Sequence, residues 1–296
     1  MTESWDWYRT FHAVVELGSL SAAARELGLT QPTVGRHIDA LEHALGGELF
    51  TRSPTGLLAT ELARGIAPYA AQLVTTSAAL LRAASERRGT IAGTVRISAA
   101  EVMAVEVLPA IIAELQAAHP ELVIELSASD AIEDLLHREA DIAVRAAEPA
   151  QEALVVRKIG GLPVAMFAHR RYLARRAPPA TFAELEGHHI VGFDRQTAYI
   201  RLMTKRYPKL AALPTTFRAD SNLAQLAAIR SGVGIGMCQV GIAIRDRELV
   251  RVVPSFELAL PCYVAMHENL KASPRCRTVF DVLAAGLKTY VDTTRA

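Results

Sequence analysis

The chain has 296 residues, 51% of them hydrophobic, and a formal net charge of +1. That length suits two or three domains, and that composition builds cores and excludes a disordered chain. The balanced charge favours no partner class, and three cysteines exclude a disulfide framework and suit a reducing cytoplasm.

The start, MTESWDWYRT, has no basic region followed by an apolar core, so no secretory signal is expected. The longest charge-free run, 65–81, contains Pro68, Gln72, Thr75, Thr76 and Ser77 and makes a poor membrane span. The first predicted helix covers 6–17 and places Trp7, Phe11, Val14 and Val15 on one face. Ala22, Ala23, Ala24 and Leu27 follow in a short helix that Gly28, suited to a left-handed cap, would end. Thr30 is a good N-cap for the next helix, and Pro32 lies in its first turn, where a missing N–H costs little. Val34, Ile38, Leu41 and Leu45 form its buried stripe. Two helices joined by a tight glycine turn match a helix-turn-helix, with an ordinary antiparallel pair as the open alternative. Gln31, Pro32, Thr33, Arg36 and His37 would occupy the end that enters a major groove, free of the stripe. One count opposes DNA binding: residues 1–60 hold four arginines, no lysine and seven acids, a balance of −3.

Residues 5–64 resemble the winged helix-turn-helix of the LysR-type transcriptional regulators. The resemblance rests on GSLSAAARELGLTQPTVGRHIDALEHALGGELFTR and the following GLLAT. It implies contact with double-stranded DNA through the residues named above and through Arg52 in the wing. Two departures stand out. Gly35 occupies a position where the family usually has serine, and Ser53-Pro54-Thr55 fills a wing that is often more basic.

Thr60 can cap a long helix over 61–88. Leu62, Ile66, Tyr69, Leu73, Thr76 and Leu80 alternate along it at four- and three-residue spacing, a coiled-coil seam of about three heptads. The seam calls for the same helix of a second subunit or for the chain's own next domain. Residues 86–90, Glu-Arg-Arg-Gly-Thr, are expected to act as a hinge.

From Thr94 strands and helices alternate, the pattern of parallel α/β units. Strands are predicted at 94–98, 122–126, 141–145, 155–159, 163–168, 188–193, 215–219, 233–238 and 261–266. Helices are predicted at 102–118, 132–139, 199–207, 222–231, 241–246 and 279–290. This part resembles the LysR-type effector domain, whose fold is that of type 2 periplasmic solute-binding proteins. The expected division is 1–60 as the winged helix-turn-helix, 61–89 as the linker helix and 90–296 as the effector domain. Within it, 90–163 with 268–296 form one lobe and 164–267 the other.

In a two-lobed α/β domain a ligand sits at the carboxyl ends of strands and the starts of helices. The candidates are Ala99, Ala100, Glu101, Ser129, Arg145, Phe193, Ser221 and Asn222. The family's ligand contacts map best onto 99–101 and 221–222, with Ser221 as a mere helix cap the open alternative. Glu101 would repel an anion, and so would Asp194 and Asp220, so the expected effector also carries an amino or hydroxyl donor. Gly232-Val-Gly-Ile-Gly236 lacks the strand-turn-helix order of a dinucleotide loop and reads as tight packing. Adjacent His188 and His189 would point to opposite faces of a strand, a poor metal site, and the cysteines read as structural.

No catalytic motif, cofactor or metal set is visible. The leading expectation is a cytoplasmic, non-enzymatic, ligand-responsive transcriptional regulator, in which a small metabolite between the lobes changes DNA-binding geometry. The resemblance implies a homodimer or homotetramer and leaves room for RNA polymerase as a further partner. The competing reading is an α/β solute-binding or enzymatic protein dimerised by its N-terminal helices.

Overall fold

The computed structural model describes residues 4–53, 56–84, 91–130, 140–147, 154–195, 197–211 and 213–294. Backbone contacts divide the chain into two compact units, one before residues 85–90 and one after them. The expected hinge at 86–90, the wing tip Pro54-Thr55 and the helix expected at 132–139 lie outside the described residues.

The first unit opens with three helices, α1 (Trp5–Leu17), α2 (Leu20–Leu27) and α3 (Gln31–Leu45). Gly28 stops α2 at φ +67°, the left-handed cap that a β-carbon would resist. The Thr30 side chain accepts the Thr33 N–H, capping α3 as expected, and Pro32 sits in its first turn. Phe11, Val14, Ala23, Ala24, Val34, Ile38, Leu41 and Leu49 share one core. Leu45 does not join it. As the last residue of α3 it is 37% exposed, and fully buried Leu49 fills the core below. Strands β1 (Phe50–Ser53) and β2 (Gly56–Ala59) form the antiparallel wing, closed by Ser53 opposite Gly56. Glu42 fixes it to α3, because its Oε1 accepts the N–H groups of Leu49 at 2.6 Å and Phe50 at 3.4 Å. Helix α4 (Glu61–Ala84) follows, with the Ala63 N–H donating to the Thr60 hydroxyl at 3.2 Å. Ala63, Ile66, Ala67 and Ala70 turn inward onto the same core.

The second unit is built on a mixed seven-stranded sheet. Its strands are β3 (Gly93–Ala99), β4 (Leu122–Ala128), β5 (Ile142–Arg145), β6 (Leu154–His169), β9 (Gly236–Gln239), β10 (Leu249–Val252) and β11 (Leu258–His267). The order is β10-β6-β11-β5-β3-β4, with β9 also on β6. Among the described residues β3 with β4 and β3 with β5 are its parallel pairs, so the expected parallel α/β units lie at one end. A separate parallel pair joins β7 (Ile190–Phe193) to β8 (Thr215–Ala219).

Three expected elements differ. The single helix at 102–118 is two, α5 (Glu101–Glu106) and α6 (Leu108–Ala118). Pro109 lies in the first turn of α6 and cannot continue a helix through the preceding turn, where Val107 leaves helical geometry at φ −121°. The strands expected at 155–159 and 163–168 are one, β6. Gly160 at φ +153° and a one-residue bulge at Ile159, opposite Cys262 and Tyr263, absorb the bend while the β6–β11 ladder continues. Strand β10 was not anticipated.

Two bodies of core lie along this ribbon. Ile159 and Leu162 of β6 and Cys262 and Val264 of β11 pack with β3, β5, α6 and α12 (Pro274–Thr293). Ala165 to Ala168, further along β6, pack instead with β7, β9, β10, α7 (Arg170–Leu173), α10 (Asn222–Arg230) and α11 (Val240–Ala243). Helices α8 (Ala198–Arg206) and α9 (Pro208–Ala211) complete this half.

Candidate functional site

In the first unit, Gln31, Pro32 and Arg36 are exposed and Thr33 half-buried on the first turns of α3. The Thr33 hydroxyl lies 2.9 Å from that of Thr30 and accepts from Arg36 Nη2 at 3.4 Å. The capping turn thus steadies the Arg36 guanidinium, and this contact engages one of its five N–H donors. His37 also has a partner inside the unit. Its Nδ1 lies 2.8 Å from the hydroxyl of Thr10, which is 1% exposed on α1. The imidazole therefore ties α3 to its supporting helix. Nothing in the spacing of α3 alone marks this, because the partner is 27 residues away. The backbone of Arg52 pairs with Leu57 in the wing, and its side chain lies outside the described residues.

On α4 the seam residues Leu62, Tyr69, Leu73 and Leu80 are 38%, 69%, 44% and 64% exposed. Ile66 is half-buried against the core of its own unit. The alanine face lets α4 approach that core, while the large side chains form a row about a quarter turn round the helix. Scattered exposed leucines are ordinary, but a row over five turns is an unpartnered apolar surface.

In the second unit, β3 ends in buried Ala99. Ala100 then leads into α5, its N–H donating to the Val144 carbonyl at 3.3 Å. The Glu101 N–H donates to Asp130 Oδ1 at 3.0 Å, and the Ser129 N–H to the Ala99 carbonyl at 2.9 Å. Ser221 caps α10, its hydroxyl accepting the Ala224 N–H at 3.3 Å. That hydroxyl also donates to Glu101 Oε2 at 2.8 Å, and Asn222 Nδ2 donates to Asp130 Oδ2 at 2.5 Å. Glu101, Ser129, Ser221 and Asn222 are thus brought to one place. Arg145 lies behind it, 7% exposed, donating from Nη2 to Ser98 Oγ at 2.6 Å. Phe193 ends β7 beside Ala219 and makes none of these contacts.

The start of α5 thus meets the start of α10, and the ends of the two helices meet as well. Arg230 donates to both carboxylate oxygens of Glu106, at 2.6 and 2.9 Å, and its Nε lies 3.5 Å from Asp246. Arg245 donates to the Glu106 carbonyl at 2.8 Å. The Arg230 hydrogen bonds hold the Glu106 pKa below the ordinary carboxylate value and raise that of Arg230. Sequence reasoning missed this pair, whose members are 124 residues apart.

The glycine run packs tightly. A β-carbon at Gly234 would strike the His189 carbonyl, and one at Gly236 would meet Ile229 at 2.7 Å. His188 Nδ1 lies 3.0 Å from the Tyr172 hydroxyl, which accepts the His189 N–H at 2.9 Å. Among the described residues no group of three His, Cys, Asp or Glu is placed to hold a metal ion. Burial pushes the thiols of Cys238 and Cys262 up to about 12. Among the described residues no helix is long and apolar enough to cross a membrane.

Family models match both units. "Bacterial regulatory helix-turn-helix protein, lysR family" covers residues 5–64, and "LysR substrate binding domain" covers 88–288. The Escherichia coli regulator YhjC, described as uncharacterized, is 24% identical over 293 residues, 95% of this chain and 97% of its own. The solved structure of CrgA from Neisseria meningitidis is 24% identical with a TM-score of 0.56, covering 98% of this chain and 99% of that one. Full-length AphB of Vibrio cholerae is 22% identical with a TM-score of 0.60, covering 95% and 99%. The alternative of a solute-binding or enzymatic protein gives way to these matches. The chain belongs to the LysR family: it is a DNA-binding transcriptional regulator with a ligand-responsive effector domain, not an enzyme.

Proposed function

We propose that Gln31, Pro32, Thr33 and Arg36 read base edges in a major groove, with Arg52 of the wing on the backbone and His37 orienting the helix. Their placement on the exposed start of α3 supports this. Residues 1–60 serve as the DNA-binding domain, 61–89 as the linker and 90–296 as the effector domain, its lobes meeting between β6 residues 162 and 165. The exposed row on α4, Leu62, Tyr69, Leu73 and Leu80, pairs two or four copies, with Ile66 shared between seam and core. The regulator works in the cytoplasm, where RNA polymerase is a further partner.

The effector is a small polar molecule that carries an amino or hydroxyl donor beside an acceptor-rich group. It binds where Ala99, Ala100, Glu101, Ser129, Ser221 and Asn222 converge, with Arg145 behind and Phe193 at the margin. The observation that carries this reading is the 2.8 Å hydrogen bond from Ser221 to Glu101. It joins the two lobes directly, and a ligand entering between them would replace it, donating to Glu101 and accepting from Ser221. Closure around the ligand then alters DNA-binding geometry.

A thermal-shift screen of small polar metabolites on the full chain identifies the effector, since a ligand that binds only the native state stabilises it. Calorimetry then compares parent, Ser221→Ala and Glu101→Ala. Loss of affinity in both variants is expected, and equal affinity in all three would place the ligand elsewhere.

A further inference from the structure

We propose that one end of the second lobe is a binding surface for the phosphate backbone of duplex DNA, separate from the helix-turn-helix. The proposal rests on the DNA-binding reading above and adds a second contact to it.

The charge of this chain is unevenly placed. Residues 170–218 carry ten arginines and lysines against three acids, a balance of +7 in a chain whose total is +1. All ten side chains are exposed. Arg175, Arg176, Lys205, Arg206, Lys209 and Arg218 have no carboxylate at ion-pair distance among the described residues.

Three of these six, Arg176, Arg206 and Lys209, lie over rings on or beside one small core. Tyr172, Leu185, Ile190 and Val253 form that core, and Phe182 and Phe256 pack against it. The Arg176 guanidinium lies 5.9 Å over the Tyr172 ring and also donates to the Gly187 carbonyl. Lys209 sits 5.7 Å over Phe182, and Arg206 5.6 Å over Tyr207. The rings are themselves joined, Phe182 to Phe256 at 5.1 Å and Tyr207 to Phe256 at 6.4 Å. Aromatic faces thus hold three cations in place and lower the entropy lost when they meet an anion.

The chemistry favours a polyanion over an acidic protein. Protein interfaces are anchored by aromatic and aliphatic side chains at their centre. Here the aromatic rings lie beneath the cations, and Leu202 is the one large apolar side chain exposed at 64% among the described residues of α8. Duplex DNA is the polyanion a regulator of this family meets. Its own DNA-binding segment is short of positive charge, with a balance of −3 over residues 1–60. Phosphate neutralisation, which supplies the sequence-independent part of DNA affinity, has its charge on the other unit.

The test uses the full-length protein and two duplexes, a short one limited to the operator and one extended by flanking sequence. Fluorescence anisotropy is measured over a range of salt for the parent and for the triple variant Lys205→Gln/Arg206→Gln/Lys209→Gln. On the long duplex the slope of log affinity against log salt should fall by about 3 if three phosphates are lost, with roughly tenfold or greater weakening. Affinity for the short duplex should stay at the parent value, and a parent-like Tm reports that the variant unit is folded. Lys205→Arg/Lys209→Arg, which keeps the charge, should behave as the parent. An unchanged slope on the long duplex overturns the proposal while leaving operator recognition intact. So does an unchanged slope accompanied by loss of transcription in a purified polymerase assay, which would make the patch a protein-docking surface. Failure of the parent to bind either duplex would instead sink the DNA-binding reading itself.

Discussion

Replacing Glu106 by Gln tests how α5 and α10 are held together. The substitution keeps the shape of the side chain and removes its charge. Glu106 accepts two hydrogen bonds from Arg230, at 2.6 and 2.9 Å, with its side chain 18% and that of Arg230 35% exposed. A hydrogen bond to a charged group contributes roughly 1.5–3 kcal/mol. Solvent at Arg230 screens the pair, so about 1–2 kcal/mol is expected to be lost. For a unit of about 200 residues that corresponds to a fall in Tm of about 2–8 °C. The pH dependence follows from the direction of the shift. The pKa of Glu106 is lowered from 4.5 on folding, so its stabilisation is fully present above about pH 4.5 and fades as pH falls through the folded value. Calorimetry of parent and Glu106→Gln should therefore show the gap at pH 7 and a narrowing gap below pH 4.5. A gap under 1 °C at pH 7, or one of equal size in acid, would refute this account.

Other outcomes follow from the same geometry. Arg36→Ala should weaken operator binding in anisotropy by about 1–3 kcal/mol with unchanged circular dichroism; unchanged affinity would remove Arg36 from the interface. Leu73→Glu puts a charge in the exposed row of α4 and should reduce the mass seen by light scattering, with loss of DNA affinity. A parent-like mass would mean the row faces something else. With their thiols held at about 12, Cys238 and Cys262 should resist a thiol reagent at pH 8 in the native protein and react on unfolding. Rapid labelling of either in the folded state would contradict their burial.

Legibility in the sequence followed the range of the interaction. The Thr30 cap, the Gly28 stop and the stripe of Val34, Ile38 and Leu41 are local, and each could be read from spacing. The break at Pro109 was equally local and was overlooked because apolar residues run unbroken on both sides of it. The continuity of β6 was not local. Strands at 155–159 and 163–168 read as separate until β11 is laid beside them and the bulge at Ile159 takes up the bend. The same holds at the sites. Helix starts named Glu101, Ser221 and Asn222, but their contacts across 120 and 92 residues depend on the tertiary fold. The His37 contact was hidden for the same reason, since its partner Thr10 lies on another helix 27 residues away.

The ribbon of β6 and β11 sets how the second unit can move. Both bodies of core hold residues of the one strand β6, so neither is joined to the other by a slack tether. The most compliant point of the ribbon is expected at Ile159-Gly160 of β6, where one unpaired residue and one glycine interrupt a ladder otherwise held by hydrogen bonds. Such an element behaves as a torsion bar. It would convert a small molecule's arrival into a small rotation and return when the molecule leaves. Signal size would then be tuned by the stiffness of two strands rather than by the depth of the cleft.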